Sequence, residues 1–104
     1  MTQTKELPHP TREEIRIEAV LHALADPVRL QFVRELNRLG IPVACGAIPL
    51  PVNKSTRTHH MRVLREAGVT HVHPEGTARI TALRKEDLDA LYPGMLDGIL
   101  GAKR

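Results

Sequence analysis

Ser55, Thr58, His59 and Arg62 share one side of the segment 54–68 when it is wound as a helix at roughly 100° per residue, and Met61, Leu64 and His60 share the other. Short hydroxyls, an imidazole and a guanidinium, with no carboxylate before Glu66, can donate hydrogen bonds to phosphates and base edges without repelling a polyanion. Leu64, Ala67 and Val69 offer an apolar face, and Gly68 stands where a helix ends in the left-handed conformation. A basic polar face set against an apolar face is what a helix that reads duplex DNA requires. The candidate contacts are Lys54, Ser55, Thr56, Thr58, His59 and Arg62. The fork of Arg62 matches a guanine edge or a phosphate, and Lys54 suits a phosphate. The bland reading of the same residues is a solvated helix face. His60, turned to the core side, is expected to pack and hold a hydrogen bond.

The charge distribution points the same way. The net charge is only +3, but it is uneven. Residues 1–52 balance six basic groups against six acidic ones, residues 53–85 hold seven basic groups against Glu66 and Glu75, and residues 86–104 are acidic on balance. Positive charge thus gathers around the candidate reading helix and the segment after it, as an electrostatic footprint on DNA would. Aromatic residues are limited to Phe32 and Tyr92, which argues against binding single strands by stacking bases.

Other chemistry finds less support. Cys45 is the one cysteine and forms no internal disulfide; it is either a redox or electrophile sensor or a small buried hydrophobe. His71 and His73 place two imidazoles on one strand face, but two ligands without a third make a weak metal site, so no metal and no cofactor is expected. No strand-turn-helix elbow or glycine-rich phosphate loop accompanies a nucleophile, so the chain does not read as an enzyme. No apolar run approaches membrane-spanning length and the polar N-terminus is unlike a signal peptide, which makes the cytoplasm the default compartment.

These residues need a frame. The first 11 residues, with Pro8 and Pro10, read as a flexible extended arm, and residues 12–104 as one small domain. Thr11 and Glu14 form a capping box ahead of a helix predicted over 12–24. Asp26-Pro27 opens a second helix that runs to Gly40. Pro42, Gly46, Pro49 and Pro51 leave room for at most one or two helical turns between Val43 and Ile48. Asn53 or Ser55 can cap the helix that follows. Residues 69–83 read as a two-stranded hairpin turning at Pro74-Glu75-Gly76-Thr77, with Arg79 near its tip and able to reach phosphate. A final helix over 84–100 is interrupted at Pro93-Gly94. The fold class is mainly α with a small β-hairpin.

In this order the elements make a winged helix-turn-helix, and the sequence resembles the ArsR-type family of transcriptional regulators. Leu24-Ala25-Asp26-Pro27-Val28-Arg29-Leu30 is similar to the family signature at the junction of its first two helices. Ser55-Thr56-Arg57-Thr58-His59-His60-Met61-Arg62-Val63-Leu64-Arg65-Glu66-Ala67-Gly68-Val69 is similar to its recognition segment, and Glu75-Gly76-Thr77 to its wing turn. Arg57 departs from the pattern, standing where an apolar residue is usual; at its helical angle it must snorkel or rotate outward. The resemblance implies a homodimeric repressor of double-stranded DNA, with helix 54–67 in the major groove of a palindromic operator, the 69–83 wing beside it, and an unknown small-molecule or redox effector. It also implies pairing through the first and last helices, which offer Ile15, Val20, Leu91, Leu96, Ile99 and Leu100. A metal-sensing relative would carry a Cys-x-Cys pair or a histidine on the last helix, and neither is present here.

Overall fold

In a computed structural model, which describes residues 7–103, helices α1 (Ile17–Leu24), α2 (Pro27–Leu39) and α3 (Lys54–Glu66) surround a core built on Phe32, Val33, Leu36 and Leu64, all of them almost wholly buried. A three-stranded antiparallel sheet and two short helices, α4 (Lys85–Leu91) and α5 (Met95–Leu100), complete the winged helix-turn-helix. Among the described residues no helix is long and apolar enough to cross a membrane.

Local chemistry sets most of the boundaries. The Asp26 carboxylate accepts from the N–H groups of Val28 and Arg29, and Pro27 takes the first turn of α2, where no N–H partner is needed. Gly40 closes that helix in the left-handed conformation. Asn53 caps α3 by accepting from Thr56 N–H at 2.8 Å. Gly68 ends α3 at φ +86°, and a Cβ there would lie 2.5 Å from Ile15 Cγ1. Glycine is required twice at that position, by backbone conformation and by close packing.

Two elements differ from the sequence reading. The helix expected over 12–24 is broken: a 3-10 turn spans Arg12–Glu14, Ile15 and Arg16 are extended, and α1 begins at Ile17. The extended step drops Ile15 against Gly68, which a continuous helix would not do. Thr11 N–H donates to Glu14 Oε1 at 2.8 Å, so the predicted box caps the short turn. Second, residues Val43–Ala44 form a strand, β1, in place of a helical turn. It pairs with β3 (Ala78–Leu83), which pairs in turn with β2 (Thr70–Glu75), giving the order β1-β3-β2. The expected hairpin is therefore two-thirds of a sheet. The last helix is divided at Pro93-Gly94, as expected, into α4 and α5.

Residues 8–10 of the arm contact the domain. Arg65 donates to the Pro8 carbonyl and Arg84 to the Pro10 carbonyl, each at 2.7 Å. His9 Nε2 accepts from Val72 N–H at 3.0 Å, and its ring stacks on His71 with centroids 4.1 Å apart. Residues 1–6 of the arm lie outside the described residues.

Candidate nucleic-acid interface

Arg57, His60, Leu64 and Arg65 recur on α3 with the i, i+3, i+7, i+8 spacing of an inward face, and each of the three polar ones is held by a specific partner. Arg57 donates to the carbonyls of Cys45 and Ile48, so the guanidinium expected to snorkel instead satisfies the irregular loop after β1. His60 is buried, and its Nδ1 lies 3.0 Å from Arg29 Nη1. Arg29 only donates, so His60 Nδ1 is the acceptor and carries no proton in this contact. The packed histidine read from the sequence is thus found. Leu64 is fully buried.

With that face locked, the other is turned to solvent. Lys54, Ser55, Thr58, His59 and Arg62 are exposed and line one shallow surface hollow, while Thr56 is half-buried. Thr58 Oγ1 donates to the Lys54 carbonyl at 3.0 Å, and Arg62 Nη2 lies 3.4 Å from His59 Nδ1. Both contacts stay within the helix. Arg79 sits opposite Pro74 in the wing and lines a groove shared with Lys54, Thr58 and Arg62. Its carbonyl accepts from Cys45 N–H at 2.8 Å, so β1 steadies the strand that carries it. Six of the seven candidate contacts therefore share one exposed surface made of α3 and the wing.

The remaining candidates divide. Ile15, Val20 and Leu96, expected in a pairing face, are buried in the chain's own core. Helical spacing marked them as apolar without saying which neighbour would cover them. Leu91, Ile99 and Leu100 are partly exposed, and Leu21 on α1, at 47% exposure, is more open than any of them. Cys45 is half-buried, and burial pushes its thiol up, against the opposing charges of Arg57 and Arg79. A protonated thiol is a poor nucleophile. Those two cations are near it in space and distant in sequence, which hid them. His73 faces Glu75 at 3.5 Å on the outer wing, and among the described residues no three of His, Cys, Asp or Glu lie close enough to hold a metal ion.

Comparison with known proteins agrees with this geometry. The chain is 31% identical over 87 residues to the uncharacterized HTH-type transcriptional regulator YceK of Bacillus subtilis (strain 168), covering 82% of this chain and 86% of YceK. It is similar to the crystal structure of an ArsR family transcriptional regulator, with a TM-score of 0.65 and 25% identity, across 79% of this chain and 90% of that one. No family model matches the sequence.

Proposed function

The chain belongs to the ArsR-type family of helix-turn-helix transcriptional regulators, and on that premise we propose that it is a homodimeric repressor reading a palindromic operator. Helix α3 enters the major groove, with Ser55, Thr56, Thr58, His59 and Arg62 toward base edges and phosphates. Lys54 and Arg79 bind phosphate on either side, and Arg79 brings the wing against the flanking duplex. The observation that carries this reading is the division of α3: its inward residues are engaged with Arg29, the Cys45–Ile48 loop and the arm, while Lys54, Ser55, Thr58, His59 and Arg62 are exposed.

Two copies related by a twofold axis would set their α3 helices about one turn of DNA apart. The first and last helices leave Leu21 on α1 and Leu91, Ile99 and Leu100 on α4 and α5 at least partly exposed for pairing. Repression follows from occupying a promoter, in the cytoplasm where the DNA lies.

Selection of bound duplexes from a random pool, followed by titration of the selected site with wild type and Arg62→Ala, tests the reading. A palindromic consensus is expected, with Arg62→Ala binding about tenfold or more weaker at an unchanged oligomeric state. No duplex binding by the wild type at low salt would instead favour a protein-interaction module on the same fold.

A further inference from the structure

Between α3, the wing and the docked arm lies a cavity of about 350 Å³, inside the roughly 300–1,000 Å³ range of small-molecule sites. Its apolar lining comes from Leu7 on the arm, Met61 on α3 and Val72 on β2. Arg57 and Arg65 also line it, and so do Lys54, Arg62 and Arg79, which belong equally to the proposed DNA surface. Among the described residues no carboxylate lines it. Among the described residues none of these five cations is in an ion pair.

The lining constrains the occupant from two directions. A bare phosphate answers the cations but leaves Leu7, Met61 and Val72 uncovered. A neutral hydrocarbon covers those side chains but supplies no counter-charge to the cations. A carboxylate on a compact apolar body satisfies both, because a charge-assisted bond to a guanidinium can form while the ring or chain is removed from water. We propose that this cavity is a binding site for a small organic carboxylate with an apolar body, and that its occupation competes with DNA for Lys54, Arg62 and Arg79. The competition rests on the DNA-reading role of α3; the carboxylate site itself does not.

The test uses full-length protein with the methionine ε-methyl groups labelled with carbon-13, and 1-naphthoate as the probe. Met61 lines the cavity, whereas Met95 sits on α5 and does not. Saturable movement of the Met61 methyl signal is expected with Met95 unmoved, and the neutral isostere 1-naphthamide should bind about tenfold or more weaker for loss of the charged contact. In a parallel titration of a fluorescent duplex, naphthoate should raise the apparent Kd and naphthamide should not. A Met61 signal unmoved by millimolar naphthoate, or moved equally by the amide, overturns the site. Naphthoate binding with duplex affinity unchanged overturns the competition. Naphthoate binding by a protein that binds no duplex leaves the site standing and sinks the reading of α3.

Discussion

Arg29 Nη1 and His60 Nδ1 meet at 3.0 Å in the buried junction of α2 and α3, with Arg29 Nε also donating to the Ala23 carbonyl at 2.7 Å. Each residue comes from one of the two motifs by which the sequence resembles its family, so the motifs are two halves of one contact. His60 is next to His59 in the chain, and pinning it inward fixes which way the helix presents its exposed side. Arg29→Ala leaves the Ala23 carbonyl and the His60 acceptor unpartnered and is expected to lower stability by about 2–4 kcal/mol in urea denaturation. His60→Ala should cost about 1–3 kcal/mol, for an orphaned guanidinium N–H. A loss below about 0.5 kcal/mol for both, the size of an ordinary surface change, would show that the junction is held by packing alone.

Gly68→Ala tests the other end of α3. The new methyl would fall 2.5 Å from Ile15 Cγ1 and 2.8 Å from Cδ1, on a backbone at φ +86°. The left-handed conformation and the overpacking together should cost about 2–4 kcal/mol. A melting temperature equal to that of wild type would contradict the close approach.

Arg57→Ala removes the donor shared by the Cys45 and Ile48 carbonyls. Amide hydrogen exchange should quicken across residues 45–53, with a stability loss of about 1–3 kcal/mol. Exchange in α2 provides the internal reference. Acceleration spread evenly over both segments would mean that Arg57 supports the whole domain and not the loop.

Phosphate contacts are separable from base contacts by salt. Lys54→Ala and Arg79→Ala should each reduce the slope of log affinity against log salt by about 1, and weaken selected and unselected duplexes alike. A slope identical to wild type in both variants would remove them from the interface.

The arm should respond to acid. His9 accepts from Val72 N–H, which a protonated ring nitrogen cannot do, and burial, then the charges of His71, Arg65 and Arg84, hold its pKa below the ordinary value. With the docked pKa lowered, the undocked arm binds the proton better. Docking is therefore at full strength above about pH 6.5 and weakens as pH falls from there through the docked value. Nuclear magnetic resonance of the His9 and His71 rings across pH 5–8 (roughly the range in which histidine titrates) should show loss of stacking on acidification. His9→Phe, which has no acceptor for Val72 N–H and no proton to gain, should show a weakened docking that does not change with pH over this range.

How much of this was legible in the residues follows from the range of the interactions. Asp26-Pro27, Gly68 and Pro93-Gly94 act on their own neighbourhood, and each marked its boundary. The exposed side of α3 could be read from angular spacing because one face had to be buried. Strand β1 could not: Val43–Ala44 has no period of its own and exists because the edge of β3 offers unpaired backbone groups. The carbonyls in the arm that accept from Arg65 and Arg84 lie 57 and 74 residues away, beyond any local pattern. Arg57 and Arg65, eight positions apart on the inward stripe, did carry a signal, since two arginines on a buried face imply acceptors waiting there. Burial of Ile15, Val20 and Leu96 was ambiguous because an apolar stripe does not say whether its own domain or a copy covers it.

Arg57, His60, Leu64 and Arg65 hold α3, whereas the hydrogen bonds of Thr58 and Arg62 close on the helix itself. On the proposed reading of α3, target preference and foldability are written in separate letters. If α3 reads DNA as proposed, substitutions at positions 55, 58, 59 and 62 would redirect the regulator toward new promoters, in a lineage or at the bench, without renegotiating how the chain folds.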